Sequence, residues 1–291
     1  METRNAVQRV IERVGDLPAM PATVAELLRL TDDPMVELGE VTQALEKDPA
    51  LTAKILRVSN SPYYGMKQYV GTLKLALVIL GVREVRNIVL GIAVVDTLHD
   101  EKLVTLVAKN FWSHAFTVAG FAKKLSNVLS IGLQGEAFTS GLLHDIGKLI
   151  LLRQLGSTYA DIIKKTGGSS DALCVAERER YGFTHADAAA ALAAAWNFPS
   201  ALGDALLLHH SIDGCLLTSA KDPKLAAVVR ISNLAAHEDF ENAEAIGDHP
   251  CVNEEAWSVL DSVPAPISRN ARFEVIKTIA EELKEVPIPQ F

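Results

Sequence analysis

The chain has 291 residues, of which 49% are hydrophobic and 22% are charged, a composition typical of a globular protein with a sizeable core. Its formal net charge is −8 and no basic stretch stands out, which argues against a broad electrostatic surface for a nucleic-acid polymer or an anionic membrane. Three widely separated cysteines, Cys174, Cys215 and Cys251, argue against a disulfide framework and favour reduced thiols in a cytoplasmic protein.

The hydropathy pattern predicts a soluble chain. The N-terminal segment is charged and amphipathic and has no apolar signal core. The longest apolar stretches, near positions 75 and 90, are short and are separated by Arg83, Glu84 and Arg86, so neither is expected to cross a bilayer.

Helical spacing dominates the first third of the chain. A first amphipathic helix begins after Pro21, and a second begins at Asp48-Pro49, where Asp48 is the expected N-cap. The almost wholly apolar segment Leu73 to Leu80 predicts a buried helix that ends at Gly81, and a further helix is expected from about Arg83 to Leu98.

The remaining two thirds continue the helical pattern, with no convincing run of period-two alternation. The sequence T-x-x-D from Thr184 to Asp187 predicts a capping box at the start of an alanine-rich helix. A looser connector is expected between Glu238 and Pro266, and a loop between Gly167 and Ser170. The other expected helices are Leu103 to Leu129, Gly135 to Leu155, Ser200 to His210, Pro223 to Ala236 and Arg269 to Lys284. The predicted fold class is all-α.

Five of the eight histidines occur in a suggestive order, and one is followed directly by an aspartate. Imidazole and carboxylate groups bind Zn, Fe or Mn, and one carboxylate can bridge two ions. Two alternatives remain open from the residues alone: the adjacent pair His209-His210 is also typical of a helix C-terminus, and His185 is also typical of ordinary first-turn polarity. The candidate metal ligands are His114, His144, Asp145, His185, His209 and His210.

The segment GLLHDIGKLIL, from Gly141 to Leu151, resembles the signature of the HD/PDEase superfamily of metal phosphohydrolases. The blocks LPAMPATVAELLRL, LEKDPALTAKILRVSNSPYYG and GTLKLALVILGVREVRNIVLG closely resemble the HDOD family, and together these motifs run from Leu17 to His210. The resemblance implies an HDOD domain over 15–215. Within it, HDOD-specific helices (15–102) would pack on an HD-like half (103–215), and a C-terminal helical extension (216–291) would complete that half.

The same resemblance implies a bacterial signal-transduction protein, and a stand-alone one is expected because no receiver or other regulatory module is visible in the sequence. HDOD domains are generally regarded as lacking phosphohydrolase activity, because their catalytic metal set is usually incomplete. In active HD enzymes the ligand order is His, His-Asp, His, His-His and Asp. His114, the His144-Asp145 pair, His185 and the His209-His210 doublet match the first six positions. Lys148 matches the lysine that lies near the substrate phosphate in HD-GYP enzymes.

The last position departs from the active pattern. Asn233 lies where the final Asp is expected, and its carbonyl oxygen would be a weak, uncharged ligand. The Gly-Tyr-Pro motif of HD-GYP enzymes is also absent after the doublet.

The residues and the resemblance together leave two alternative functions for the protein. The first is a catalytically inactive regulatory module that carries a remnant His/Asp pocket for one or two divalent Fe, Mn or Zn ions, or for none, and contacts signalling proteins. The second is a metal-dependent phosphohydrolase of nucleotides or cyclic dinucleotides, in which Asp145 bridges the metals and Lys148 neutralises charge on the phosphate.

Overall fold

The computed structural model describes residues 17–98, 111–167, 170–210, 216–237 and 250–287, and every regular element in these ranges is helical. The all-α prediction is therefore confirmed for the described residues. Among them, no helix combines the length and the apolar character that crossing a membrane requires. Cys174 and Cys251 are buried free thiols, whereas Cys215 lies outside the described residues.

The chain divides into two compact units. The first unit holds the described helices between Ala19 and Leu98, in which α1 packs on α2 and α5, and α3 packs on α5. Leu27, Leu45 and Ile55 are completely buried in its core. Its helices are α1 (Ala22–Thr31), α2 (Leu38–Glu46), α3 (Pro49–Ser59), α4 (Leu73–Leu80) and α5 (Val82–Leu98).

Local sequence signals explain most of these bounds. The Asp48 carboxylate accepts a hydrogen bond from the Leu51 amide at 3.0 Å, as the predicted N-cap requires, and Pro49 occupies the first turn. The bounds of α4 agree with the prediction, but its burial does not. Leu75, Val78 and Ile79 are exposed, and the core of the unit receives only the opposite face of the helix.

The second unit holds the described helices between Phe111 and Lys284. Helix α6 packs on α7 and α13, α8 packs on α11, and α12 packs on α11 and α13. Its helices are α6 (Phe111–Val128), α7 (Gln134–Leu143), α8 (Ile146–Leu155), α9 (Ser157–Lys165), α10 (Ser170–Tyr181), α11 (His185–Ala195), α12 (Ser200–Leu207), α13 (Pro223–Ala236), α14 (Pro250–Asn253), α15 (Trp257–Leu260) and α16 (Arg269–Lys284).

Two predicted helices of this unit are wrong in their extent. The predicted helix from Gly135 to Leu155 is interrupted at His144 and Asp145, because Asp145 has φ −95° and ψ 3°, outside the helical range. The helix predicted from Ser200 to His210 ends at Leu207, so the histidine doublet lies beyond its C-terminus. The interruption at Asp145 and the early end of α12 therefore let the side chains of Asp145 and of the histidine doublet point in directions that a regular helix would not allow.

Other predictions in this unit agree or agree in part. The capping box of Thr184 and Asp187 forms as expected, and α13 and α16 have the predicted bounds. The predicted connector contains the short helices α14 and α15, because Val252, Ala256 and Trp257 bury apolar side chains there. Residues 99–110, 168–169 and 238–249 lie outside the described residues, as do the parts of the predictions that fall on them.

Candidate metal centre

Six elements of the second unit bring the predicted site residues together. His114 lies on α6, His144 and Asp145 lie in the turn between α7 and α8, and His185 is the first residue of α11. The His209-His210 doublet follows α12, and Asn233 lies on α13. All of these side chains except that of His114 are buried, and His114 is only slightly exposed.

The first ligand set consists of His114, His144, Asn233 and the Oδ2 atom of Asp145. The His114 Nε2 atom lies 3.3 Å from His144 Nε2 and 3.2 Å from Asn233 Oδ1. The Asp145 Oδ2 atom lies 3.4 Å from His144 Nε2 and 3.8 Å from His114 Nε2. The ligand atoms of the two histidines and Asp145 thus converge on one small volume.

The second ligand set consists of His185, His209, His210 and the Oδ1 atom of Asp145. This oxygen lies 3.3 Å from His185 Nε2 and 3.5 Å from His209 Nε2. The Nε2 atoms of His185 and His210 are 3.0 Å apart. One ligand atom from each of the four residues lies within 4.8 Å of the others, so this set could also hold an ion.

Asp145 joins the two sets because its two oxygens face different sets of histidines. A carboxylate in this position is suited to bridge two metal ions. The interrupted helix makes this possible: adjacent residues of a regular helix point about 100° apart, whereas the turn lets His144 and Asp145 reach the same pocket.

Hydrogen bonds fix the direction of three imidazole rings. His144 Nδ1 donates to the Gly141 carbonyl at 2.7 Å, and His209 Nδ1 donates to the Leu206 carbonyl at 2.6 Å. His185 Nδ1 donates to Glu177 Oε2 at 2.8 Å. In each ring the Nε2 atom is left to face the pocket, which is the usual arrangement of metal-binding histidines.

In the part of the pocket that the structure describes, two buried polar atoms have no protein hydrogen-bond partner. Neither Asp145 Oδ1 nor His209 Nε2 has one with suitable geometry among the described residues, although each lies near other ring nitrogens. A buried polar atom without a partner costs free energy unless water or an ion satisfies it. The residues present therefore fit a divalent transition metal.

The electrostatics of the pocket favour neutral imidazoles around an ionised carboxylate. Burial lowers the pKa of both His114 and His209 to about 3. Burial raises the pKa of Asp145, but Lys148 and His144 outweigh this effect and hold the pKa well below its ordinary value. Neutral imidazole and ionised carboxylate are the forms that bind metals.

His185 differs from the other histidines of the pocket. Burial lowers its pKa, but the neighbouring Glu177 carboxylate outweighs burial and raises the pKa well above the ordinary value. A metal ion at Nε2 would displace a proton from this ring, as metal binding to histidine generally does.

Lys148 lies beside the shared carboxylate. Its Nζ atom is 2.6 Å from Asp145 Oδ2, three residues earlier in the chain. The lysine therefore pairs with the oxygen of the first set and leaves the oxygen of the second set free of it.

Close helix packing at two glycines allows this geometry. A Cβ atom on Gly147 would lie 1.8 Å from the His185 carbonyl oxygen, and one on Gly141 would lie 2.8 Å from the Ala119 Cα atom. The glycines of the GLLHDIGKL segment thus let α8 approach the start of α11, and α7 approach α6.

Sequence reasoning missed the residues that support the ligands. Glu177 gave no signal because it lies in the charged run ERER, which is typical of a solvated helix face. Arg230 donates from Nε to the Leu208 carbonyl and from Nη2 to the His210 carbonyl, each at 2.9 Å. The one sequence signal for Arg230 is its charge within the apolar pattern of α13, which indicates a buried cation with a partner.

His237 was also missed. Its ring lies over the His114 ring with centroids 4.4 Å apart, and its Nε2 atom is 3.3 Å from the Ser170 hydroxyl. It lies one helical turn after Asn233, on the exposed side of the pocket.

The helical fold and the buried His/Asp centre define the class of the protein. The sequence model of the HDOD domain matches residues 17–212, more than half of the chain, and the protein therefore belongs to the HDOD domain family.

Solved structures extend this comparison to almost the whole chain. A candidate phosphohydrolase from Shewanella amazonensis is 27% identical and superimposes with a TM-score of 0.69, covering 95% of this chain and 93% of that chain. An HDOD domain protein of unknown function from Geobacter sulfurreducens, 22% identical, has a TM-score of 0.73 and covers 99% of both chains. The second likeness shows the fold alone.

A curated relative matches part of its own length. An uncharacterized protein of Treponema pallidum is 25% identical over 219 residues, which make up 72% of this chain and 41% of that protein. The chain therefore spans about two fifths of the length of the curated relative it matches.

Proposed function

We propose that the protein is a regulatory HDOD module whose His/Asp centre binds divalent transition metal and does not turn over a phosphodiester. The observation that carries this proposal is Asn233, whose Oδ1 atom lies 3.2 Å from His114 Nε2 in the first ligand set. An active HD enzyme would have a second carboxylate in this set, whereas among the described residues only Asp145 supplies a carboxylate to it.

Charge explains why the amide matters. Asn233 brings no negative charge, and the Asp145 Oδ2 atom is already paired with Lys148. A metal ion bound in the pocket would supply activation of water by lowering its pKa towards about 7. The first ligand set therefore has little negative charge with which to hold a metal ion. Because hydrolysis by an HD enzyme requires the complete set of ligands, we expect the pocket to bind metal without turning over a phosphodiester.

In this role the module would receive its signal in one of two ways. The signal would be the binding or loss of the metal ion, or the binding of a nucleotide at the exposed side of the pocket. Signalling proteins would be the partners, through direct protein–protein contact. We propose the bacterial cytoplasm as its location, which agrees with the buried free thiols of Cys174 and Cys251.

A second candidate function is a metal-dependent phosphohydrolase acting on a nucleotide or a cyclic dinucleotide. Two observations favour it: Asp145 has the position of a bridging carboxylate, and Lys148 is close enough to the pocket to neutralise charge on a phosphate. The similarity to a candidate phosphohydrolase of Shewanella amazonensis agrees with it.

Turnover assays with Asn233→Asp separate the two functions. The protein is loaded with Mn²⁺, Fe²⁺ or Zn²⁺ and given cyclic-di-GMP or bis(p-nitrophenyl) phosphate, with His144→Ala as the inactive control. We expect the unsubstituted protein to match His144→Ala, and Asn233→Asp to gain measurable turnover because it restores the missing charge. Turnover by the unsubstituted protein that His144→Ala abolishes would establish the enzyme instead.

A further inference from the structure

The two ligand sets around Asp145 are chemically unequal. In the first set, the Oδ2 atom is paired with Lys148 at 2.6 Å and the fourth ligand is the neutral Asn233. In the second set, the Oδ1 atom and His209 Nε2 are buried without a protein hydrogen-bond partner among the described residues. An ion bound in the second set would therefore satisfy two buried ligand atoms, whereas in the first set the Asp145 oxygen already has Lys148 as a partner.

Glu177 adds charge behind the second set. It is completely buried and accepts hydrogen bonds from the His185 backbone amide at 2.9 Å and from His185 Nδ1 at 2.8 Å. Tyr159, also completely buried, donates its hydroxyl hydrogen to the other carboxylate oxygen. The carboxylate is thus fixed at both oxygens, and it holds the His185 ring with Nε2 towards the pocket.

We infer that the second set (His185, His209, His210 and Asp145 Oδ1) is the high-affinity metal site, that Glu177 positions His185 for it, and that the first set binds an ion weakly or not at all. This inference rests on the proposed function, since it requires that the pocket bind metal. Glu177 is a positioning residue, because it acts on the ion through the imidazole of His185. A carboxylate behind a metal-binding histidine typically strengthens binding about 10–100-fold.

A third grouping, Cys174, Glu177 and His185, also has ligand atoms close together. Its geometry argues for support and not for a separate ion. The Cys174 Sγ atom lies 4.0 Å from His185 Nδ1, whereas Glu177 is within hydrogen-bond distance of the same nitrogen and is held there by Tyr159. The nitrogen and the carboxylate already satisfy each other.

Metal titration of the full chain tests the assignment. The protein is stripped with a chelator, titrated with Zn²⁺ and with Co²⁺, and measured by elemental analysis and by the visible absorption of Co²⁺. We expect one tightly bound ion per chain. His209→Ala should lose it, His114→Ala should keep it, and Asn233→Asp should gain a second tight ion.

Glu177→Gln tests the positioning role. It should weaken binding of the tight ion about 10–100-fold and change the Co²⁺ spectrum, while the far-ultraviolet circular dichroism stays unchanged. Unaltered affinity and an unaltered spectrum would overturn the role of Glu177. Tyr159→Phe provides a milder variant should Glu177→Gln fail to fold, with a smaller loss of affinity in the same direction.

Anomalous diffraction from the unsubstituted protein with one equivalent of Zn²⁺ requires no variant. A single peak beside His209 Nε2 is expected. A single peak beside His114 and Asn233, or one beside Cys174, would overturn the assignment and leave metal binding intact. Absence of any bound ion in titration and crystal would instead contradict the proposed function itself.

Discussion

At the scale of single residues, the pocket is a group of buried imidazoles whose pKa values differ in the folded and unfolded chain. His114 and His209 have a folded pKa of about 3, against about 6.5 in an unfolded chain. Between these pH values the unfolded chain binds protons that the folded chain does not. Stability must therefore fall as the pH is lowered through this window.

For chelator-treated protein, we expect the free energy of unfolding to fall between pH 6.5 and pH 4 by about 1 kcal/mol per pH unit for each of these two histidines. His185 has a raised pKa, so its contribution is fully present below pH 6.5 and adds no slope there. Urea denaturation at several pH values measures the slope. His209→Gln should reduce it by about 1 kcal/mol per pH unit, and an unchanged slope would count against a neutral, buried His209.

Arg230 supports the doublet from behind and is itself buried. Its guanidinium binds the carbonyls of Leu208 and His210 and pairs with Glu255 at 3.2 Å. Arg230→Met removes the hydrogen bonds that these two carbonyls accept from the guanidinium, and we expect it to destabilise the protein by about 3 kcal/mol or more in urea denaturation.

The matched control is Lys124→Met, which removes the exposed ion pair with Glu282 and should cost less than about 1 kcal/mol. The Arg230 variant should also bind the tight metal ion less well, because the doublet loses its anchor. Equal stability of the two variants would show that Arg230 does not hold the doublet.

At the scale of elements, the interruption between α7 and α8 creates the site, and a glycine lets α8 approach α11. A Cβ atom on Gly147 would lie 1.8 Å from a backbone oxygen of His185, which cannot move without shifting α11. Gly203 offers a comparison on α12, where an added Cβ atom would make an ordinary contact of 3.7 Å with Ala193.

Gly147→Ala should therefore destabilise the protein by about 3 kcal/mol or more and displace His185. Gly203→Ala should be neutral or should stabilise α12 by up to about 1 kcal/mol, since alanine favours helix over glycine. Thermal unfolding and Zn²⁺ affinity of both variants check this. A Gly147→Ala protein as stable as Gly203→Ala would contradict the close approach of the two helices.

Much of the element structure follows from local sequence signals. Local sequence predicts features that depend on a few neighbouring residues, because caps and hydrophobic periodicity act over that distance. These features are the Asp48 cap, the Thr184–Asp187 capping box and the bounds of α13 and α16. The turn at His144-Asp145 could not be read, since GLLHDIGKLIL contains no helix-breaking residue between its glycines. Tertiary packing of the two side chains into the pocket decides that turn.

At the scale of the whole molecule, the order of the histidines and the HDOD resemblance named eight residues that the second unit brings together, including Lys148. The supporting residues could not be named from the chain. Glu177 is eight residues from His185 and Arg230 is twenty from His210, and nothing in a single sequence says that charged residues at those distances fold inwards. Their partners are set by the packing of α10 and α13.

The burial of α4 shows the same limit. Its apolar sequence predicts a buried helix, yet Leu75, Val78 and Ile79 are exposed in the structure. Hydrophobicity gives the preference of each side chain for an apolar environment, but the number of neighbours available in the unit decides which faces are covered.

One buried carboxylate, that of Asp145, organises both ligand sets, and the metal content of Asp145→Asn tests this role most directly. Asp187→Asn is the matched control, because Asp187 is a buried carboxylate that caps α11. After equilibration with excess Zn²⁺ and gel filtration, we expect Asp145→Asn to hold less than about a tenth of the zinc held by the unsubstituted protein. The Asp187→Asn control should hold as much as the unsubstituted protein. Zinc retained in full by a folded Asp145→Asn protein would contradict the account.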